Sequence, residues 1–408
     1  LIEFAVYRPF DPKAESNSEA YKEPHYIAYV MHQKGEVRWH DLGDAREIDQ
    51  SVDALRQALR DPLRRDVRNR ARAVDEKVMQ PVRALIGDAN QLLISPDGAL
   101  NLIPFETLVD ERGRYLIQHY SFTYLTSGRD LLRLQVARKM QNSSLVIADP
   151  LFGEPELPQP AIVGYVNAHS RAKNRDDITS VTDLSSVYFA PLIGTAQEAR
   201  TIKSLFPESN TLLRQQATES ALKQVSAPRL LHIATHGFFL TNGLAASAAG
   251  TNIQSTRAIS ASAKVANPLL RSGLALAGAN LHKNGDDDGI LTAMEASGLN
   301  LWGTKLVTLS ACDTGLGEVK NGEGVYGLRR AFVLAGTESL VMSLWPVSDY
   351  VTREMMTAYY TGLREGQGRN AALRQVQLSM LKRKEREHPF YWASFIQSGE
   401  WANLDGKR

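Results

Sequence analysis

Cysteine is almost absent from the 408-residue chain, which contains Cys312 and no second cysteine. A single cysteine excludes an intrachain disulfide and suits a reducing compartment, so we expect a cytoplasmic protein. It disfavours a thiol redox protein, because a resolving cysteine is lacking. It also disfavours a metal site, because a second soft ligand is lacking. No cofactor is expected.

Long apolar runs and an excess of charge are absent too. No apolar stretch approaches the ~18 residues of a membrane span, and the formal net charge is only +2. We therefore expect neither a membrane nor a directly bound nucleic acid as a partner. The chain shows no secretory signal pattern and begins at Leu1 rather than Met. We expect that an N-terminal partner domain is missing from it.

The composition is that of a globular protein, with 43% hydrophobic and 23% charged residues. A chain of this length suggests two domains or one large α/β domain. In the second half, apolar runs at 144–150, 229–237, 304–315 and 339–345 alternate with helical patterns. Strands that are apolar on both faces and separated by helices predict an α/β fold, with a mostly parallel sheet sandwiched by helices.

The first half has a less regular pattern. Residues 25–43 predict a hairpin, and apolar spacing over 48–59 predicts a helix that continues to residue 82. Its later part carries five arginines, for which a solvated face laced with aspartates is favoured over a nucleic-acid face. Residues 91–108 predict a strand, a Pro-Asp-Gly turn and a second short strand. Residues 121–127 predict another strand, followed by a helix to about residue 140.

Two consecutive strands of the second half end in reactive side chains, His236 and Cys312. Sites in open parallel sheets form at the carboxyl ends of the strands, so neighbouring strands would bring these two side chains to one edge. A free thiol with a pKa of ~8.5 is only a few per cent thiolate at pH 7. A nearby imidazole can deprotonate it and later protonate a leaving amine.

We therefore predict that Cys312 is a nucleophile and His236 its general base. The backbone N–H groups of Gly237 and Cys312 are predicted to form an oxyanion hole. A small core cysteine and a His-Gly strand end are the alternatives. Both features at the ends of consecutive strands favour the catalytic pair. His232, four residues before His236, is predicted to be a packed core histidine.

Four segments of the second half strongly resemble the CHAT family of caspase-like cysteine peptidases. This family is mainly bacterial, is related to separase and is often fused to tetratricopeptide repeats. The segments are HIATHGFF (232–239), DGILTAMEASGLNLWGTKLVTLSACDTGLGEV (288–319), GEGVYGLRRAFVLAGTESLVMSLWPVSD (322–349) and HPFYWASFIQSGEW (388–401). The resemblance covers roughly residues 90–402. It implies a caspase-like fold in which the family's catalytic pair corresponds to His236 and Cys312.

The resemblance also implies a domain organisation. Residues 141–408 correspond to the active peptidase domain, and residues 1–140 to an N-terminal α/β half that is a candidate for a degenerate caspase-like unit. The departure from the family is the segment 243–267, where many relatives run almost directly from HGFF to NPLLRSGLALAGA. This segment is rich in Ala, Ser and Asn, so we predict a long mobile loop.

The function implied by the family is regulated, site-specific cleavage of a partner protein, in some relatives as part of bacterial defence. A protein substrate and a regulatory partner or repeat domain are therefore expected. Residues 240–289 are predicted to move on activation, and self-cleavage at Arg257 or Lys264 is considered. The acidic triplet Asp286–Asp288 is weighed as a calcium site, but a solvated turn is favoured. The alternative function is a binding or signalling module whose peptidase site is vestigial.

Substrate preference is implied by the loop that follows the strand at 339–345. In this fold the strand and its loop wall the primary pocket, and separase, which cuts after Arg, has a similar segment there. The resemblance favours Arg or Lys just before the cut, with Asp349 as the acidic group and Asp313 as a weaker candidate. Asp349 also precedes a helix, where Asp is a preferred N-cap. Both roles stay open.

Overall fold

The computed structural model describes most of the chain. The described residues are 1–16, 20–136, 138, 142–153, 188–192, 194–239, 268–281, 287–311, 318–320 and 324–407. The segment 243–267, with Arg257 and Lys264, lies outside them. The predictions of a mobile loop and of self-cleavage there stay predictions.

Eleven strands of the described residues form one large sheet, and five more form two small sheets. The strands are β1 (Ile2–Tyr7), β2 (His25–Val30), β3 (Arg38–Asp44), β4 (Gln91–Ser95), β5 (Ser121–Tyr124), β6 (Leu145–Pro150), β7 (Asn210–Arg214), β8 (Leu230–Ala234), β9 (Gly237–Phe239), β10 (Ser272–Ala275), β11 (Ile290–Thr292), β12 (Leu306–Ser310), β13 (Glu318–Lys320), β14 (Gly324–Tyr326), β15 (Ser339–Ser343) and β16 (Phe395–Gly399). In the large sheet their order is β3-β2-β1-β4-β5-β16-β15-β12-β8-β6-β7.

The large sheet consists of two blocks that run in opposite directions. Strands β7, β6, β8, β12 and β15 are parallel, which confirms the parallel sheet predicted for the second half. Strand β16 is antiparallel to β15 but parallel to β5, and β4 and β1 continue in the direction of β5. The carboxyl ends of β4 and β5 therefore lie at the opposite edge of the sheet from those of β8 and β12.

Helices flank the sheet on both faces. They are α1 (Ala45–Leu59), α2 (Val67–Val78), α3 (Gln80–Ile86), α4 (Asp130–Arg133), α5 (Thr195–Leu205), α6 (Glu219–Lys223), α7 (Ala293–Ser297), α8 (Leu328–Leu334), α9 (Asp349–Arg364), α10 (Arg369–Leu381) and α11 (Pro389–Trp392). Every residue of β8, β12, β15 and β16 is buried. Because successive side chains point to opposite faces, both faces must be covered.

Local sequence explains where the helices begin and which side they bury. Helix α1 starts after Asp44, whose carboxylate accepts from the backbone N–H of Arg46 at 2.7 Å, and it buries Ile48, Val52 and Leu55. Thr218 caps α6, since its hydroxyl accepts from the backbone N–H of Ala221 at 3.1 Å. One continuous hydrophobic cluster contains side chains of both halves of the chain.

Three predictions for the first half are wrong. The helix expected from 48 to 82 is three helices, because the chain turns at 60–66 and again at Met79 before Pro81. The second short strand expected in 91–108 is two 3₁₀ turns, Gly98–Leu102 and Phe105–Thr107. The helix after β5 is only α4, although it was expected to reach residue 140.

Three of the five arginines within 61–82 are paired with carboxylates. Arg64 and Arg70 contact Asp66 at 2.7 and 3.1 Å, and Arg72 contacts the buried Asp75 at 2.5 Å. These arginines therefore have partners within the chain, and they do not form an unpaired basic surface.

The second half departs from prediction in two places. The helical pattern over 322–336 favours one helix, but the structure has strand β14 there before α8 begins at Leu328. Strand β9 leaves the large sheet and pairs with β10, which pairs with β11. In the part of the chain that the structure describes, no helix combines the length and apolar character that crossing a membrane would require.

Candidate active site

The two strands that precede the predicted catalytic residues are neighbours in register. Strand β8 pairs with β12, with Ala234 opposite Ser310. His236 follows Ala234 by two residues, and Cys312 follows Ser310 by the same number. Cys312 and Asp313 lie outside the described residues, which end at Ala311 in this segment. The roles of Cys312 and Asp313 therefore stay predictions. The paired strands do bring Ala311, which precedes Cys312, and His236 to the same edge of the sheet.

His236 is held by a backbone carbonyl and two aromatic rings. Its Nε2 atom lies 2.7 Å from the Ala190 carbonyl oxygen. The rings of Phe152 and Phe189 lie 5.3 and 5.8 Å from the imidazole, centroid to centroid. Both phenylalanines are buried. The imidazole is therefore half-buried against an apolar wall with one fixed hydrogen bond.

This hydrogen bond decides which nitrogen of His236 carries the proton. A carbonyl oxygen can only accept, so Nε2 must donate, and the lone pair of the neutral ring is on Nδ1. Burial lowers the pKa of His236 below its usual 6.5, while the Ala190 carbonyl and the Asp349 carboxylate act in the opposite direction. The ring is consequently neutral at pH 7 and has a basic nitrogen available.

Asp349 occupies the first position of α9. The N-cap of that helix is Ser348, so Asp349 itself is not the cap. Its carboxylate accepts from the backbone N–H of Gly194 at 3.3 Å. A Cβ at Gly194 would lie 2.6 Å from the Asp349 Cβ. Only glycine therefore allows the start of α5 to approach the start of α9 this closely.

A pocket of about 450 Å³, open to solvent, lies at this edge of the sheet. Its apolar walls include Leu192, Ala311, Trp345 and Val347. The strand β15 and the loop after it thus wall a pocket, as the sequence predicted. Two carboxylates line it: Asp349, which is exposed, and Glu198, which is buried. Among the described residues that line it, none is Lys or Arg.

A buried polar network lies beneath the pocket. Glu198 on α5 accepts from the Ser310 hydroxyl at 3.2 Å, and its other oxygen lies 3.1 Å from His232 Nε2. His232 Nδ1 is 3.0 Å from the Tyr360 hydroxyl, which donates to Thr308 at 2.9 Å. His232 is 1% exposed, as predicted for a core histidine. It has a carboxylate partner that the sequence did not reveal.

The sequence did not predict roles for Ala190 and Glu198, for two different reasons. Ala190 acts through its carbonyl, which gives no side-chain signal. Glu198 did carry a signal, because it shares a helical face with the buried Thr195, Ala199 and Ile202. A carboxylate on the apolar face of an amphipathic helix needs a buried partner.

The acidic turn that contains Asp287 and Asp288 belongs to no group of metal-binding side chains in the described part of the chain. Asp287 accepts from the Ser220 hydroxyl at 2.7 Å, and Asp288 accepts from the Ile290 N–H at 2.8 Å. Asp286 lies outside the described residues. Nearby, Lys223 contacts both Glu219 and Glu295, at 2.6 and 2.9 Å. An ammonium group therefore already lies between these two carboxylates.

The family profile described as the CHAT domain matches residues 68–400, which is well over half of the chain. The chain belongs to the CHAT-domain family. The observed sheet confirms the α/β architecture predicted from the sequence, with a mostly parallel sheet flanked by helices.

Two curated relatives of this CHAT-domain chain are tetratricopeptide repeat proteins. Tetratricopeptide repeat protein 28 of Homo sapiens is 24% identical over 327 residues, which cover 78% of this chain and 12% of that protein. The protein of the same name from Mus musculus is 32% identical over 116 residues, which cover 28% of this chain and 5% of that protein. The chain therefore spans only a small part of these relatives.

Two solved structures are similar at low sequence identity. The Saccharomyces cerevisiae separase–securin complex has a TM-score of 0.41 and 12% identity, covering 91% of this chain and 21% of that chain. The Arg-specific cysteine proteinase gingipain R has a TM-score of 0.41 and 11% identity, covering 88% of this chain and 75% of that chain.

Proposed function

We propose that this CHAT domain is a cysteine endopeptidase in which Cys312 is the nucleophile and His236 the general base. The observation that carries the proposal is the state of His236 at the end of β8. Its Nε2–H is committed to the Ala190 carbonyl at 2.7 Å, which leaves Nδ1 as the base. Cys312 comes two residues after the end of β12, the strand that pairs with β8, just as His236 comes two residues after the end of β8.

In this mechanism Nδ1 of His236 takes the thiol proton and the Cys312 thiolate attacks the scissile carbonyl carbon. Collapse of the tetrahedral intermediate breaks the C–N bond, and the imidazolium returns the proton to the leaving amine. Water, deprotonated by the same nitrogen, then hydrolyses the thioester. The backbone N–H groups of Gly237 and Cys312 are proposed to stabilise the oxyanion. The Ala190 carbonyl favours the imidazolium by keeping its Nε2–H hydrogen-bonded.

We propose a preference for Arg or Lys just before the cut. The pocket supports it because apolar walls suit the aliphatic stem of such a side chain, and the carboxylate of Asp349 is accessible at its solvent side. Asp349 does not act as the N-cap of α9, so its carboxylate is not committed to that role. Asp313, outside the described residues, is a weaker candidate for the same task.

The partner is proposed to be a protein substrate, with a regulatory partner or an attached repeat domain controlling the site. The curated relatives are tetratricopeptide repeat proteins of which this chain spans 12% or less. A repeat domain would recognise a substrate or an activator, and the chain alone is then expected to be weakly active. A cytoplasmic location stays a prediction.

A peptide library tests the proposal. Wild type and Cys312→Ala are incubated with the library at high enzyme concentration, and cleavage sites are identified by mass spectrometry. Cuts that require Cys312 and cluster after Arg or Lys are expected. Cuts that persist in Cys312→Ala, or no cuts in the wild type, would favour a vestigial binding module instead.

A further inference from the structure

Glu198 joins the two strands of the site to the segment that holds the base. We infer that Glu198, through His232, is a positioning residue for the catalytic pair rather than a substrate ligand. This inference rests on the proposed function, because it assigns a role within the same site. Neither residue touches the reacting atoms in the proposed mechanism, so their effect must act through the geometry of others.

Glu198 contacts both strands that lead into the site. Its two oxygens contact His232 on β8 and Ser310 on β12. These residues lie four and two positions before His236 and Cys312, respectively. Glu198 therefore contacts the face of the sheet that carries His232 and Ser310, near the ends of both strands.

The same helix also fixes the base. Ala190, which accepts from His236, lies in the segment that leads into α5. The turn into the helix is fixed by Thr195, whose hydroxyl donates to Leu192 at 2.9 Å and accepts from Asp149 N–H at 3.0 Å. A shift of α5 would therefore move the carbonyl that sets the tautomer of His236.

Glu198 and His232 are adjacent buried polar groups, which makes their contact sensitive to substitution. The 3.1 Å between Nε2 and the carboxylate oxygen lies outside hydrogen-bond geometry. Tyr360 donates to Thr308, so its oxygen accepts from His232 Nδ1–H. Removing the Glu198 carboxylate would leave Nε2 of a buried imidazole without its polar neighbour, and Ser310 without the acceptor of its hydroxyl.

Burial excludes a substrate-binding role for Glu198. It lines the pocket, but the residue is only 3% exposed and both oxygens have neighbours in the fold. A guanidinium or ammonium group would have to displace Ser310 or His232 to reach it. The exposed Asp349 is the accessible carboxylate of the described pocket lining.

The test compares Glu198→Leu with Glu198→Gln and with the matched control Glu219→Leu. Glu219 is equally buried, is paired with Lys223 at 2.6 Å and does not line the pocket. Two readouts are measured: steady-state peptide cleavage, and the pH dependence of Cys312 alkylation by iodoacetamide. Thermal unfolding of each variant measures stability separately.

For Glu198→Leu we expect kcat to fall roughly 30-fold with KM changed by less than about threefold, because the catalytic pair is misplaced. Alkylation of Cys312 at pH 7 should slow roughly tenfold, because a misplaced imidazole deprotonates the thiol less readily. Glu198→Gln, which can still accept from Ser310 and donate to His232, should recover most of both. Glu219→Leu should lower stability and leave both readouts unchanged.

Wild-type kcat and alkylation in Glu198→Leu would overturn the inference, as would an equal change in Glu219→Leu. If Glu198→Leu raises KM for Arg substrates alone, Glu198 binds substrate and the positioning role is wrong. Should the wild type cleave no peptide, the proposed function fails. The alkylation profile still decides whether Glu198 controls the state of Cys312.

Discussion

The large sheet has two sides at which strands end, called here its two edges: one at the carboxyl ends of β8 and β12, the other at the carboxyl ends of β4 and β5. The two edges differ in structure. At the ends of β8 and β12 the chain leaves a pocket with His236 beside it. At the opposite edge, the ends of β4 and β5 are closed by hydrogen bonds. There the Asp97 carboxylate accepts from the N–H groups of Val6 and Gly98, both at 2.8 Å, and Arg329 donates to the Leu125 carbonyl at 3.3 Å.

The difference shows what polar groups do in each place. In the closed edge, Asp97 is buried and its acceptors satisfy backbone donors, so its role is to hold the chain together. In the open edge, His236 keeps one ring nitrogen without a fixed role in the described structure, and Asp349 is exposed. Polar groups at the ends of β4 and β5 therefore bond to the backbone, whereas those at the ends of β8 and β12 remain partly accessible. If the two edges are independent, a substitution at one edge should leave the other unaffected.

The largest effect is expected from the catalytic pair. Cys312→Ala or His236→Ala should each reduce peptide cleavage by at least ~10³-fold, and the double mutant should be little worse, because the two residues act as one unit. His388→Ala is the matched control, since its Nε2 also contacts a backbone carbonyl, that of Arg64, at 3.1 Å. It should retain activity. Steady-state turnover in Cys312→Ala would sink the mechanism.

At the closed edge, Asp97→Ala should destabilise the fold without a specific effect on the site. The change leaves two backbone N–H groups without their acceptor, which costs roughly 1–3 kcal/mol. Urea unfolding measures this, and Asp97→Asn, which keeps an acceptor oxygen, should lose less. Activity is measured at a temperature where Asp97→Ala is fully folded. A loss as large as that of Cys312→Ala would show that the two edges are not independent.

At the open edge, Asp349→Ala should change specificity with little change in stability. Its carboxylate is exposed, so the contact with a substrate guanidinium is worth only about tenfold in kcat/KM for Arg peptides. Peptides with norleucine at that position should be affected less. Equal losses for both peptides would show that Asp349 does not read the basic side chain.

The smallest expected effect is a shift of the pH profile. Burial lowers the pKa of His236, and the Asp349 carboxylate offsets part of this by stabilising the imidazolium. Asp349→Asn removes that charge, so the pKa of His236 should fall. The base must be neutral, and the acidic limb of kcat/KM should therefore move to lower pH. An unchanged or higher limb would mean that His236 is not the base or that Asp349 does not act on it.

Sequence patterns predicted the parallel block well, because strands buried on both faces give unmistakable apolar runs such as those of β8, β12 and β15. They also placed His236 at a strand end. They failed where apolar residues serve turns rather than strands. Leu100 and Leu102 alternate with polar Asn101 as in a strand. The side chains of Asp97 and Asn101 nevertheless bond to neighbouring backbone groups and favour a 3₁₀ turn.

The supporting contacts of the site were harder to predict, because they join segments far apart in sequence. Ala190 and His236 are 46 residues apart, and Glu198 and Ser310 are 112 residues apart. A backbone carbonyl has no residue-type signal, and the partner of a buried carboxylate is known only when the fold is. Strand β16, which joins the two halves, was also missed, since nothing local shows that it runs against β15.

The central claim, that His236 activates Cys312, is tested most directly by covalent labelling. A peptidyl electrophile ending in Arg is added to the wild type and to His236→Ala at pH 7, and the intact mass and labelled peptide are measured over time. The account predicts one label per chain, on Cys312, at a rate that falls at least ~10²-fold in His236→Ala. Equal labelling rates in the two proteins, or no label on Cys312 in the wild type, would contradict it.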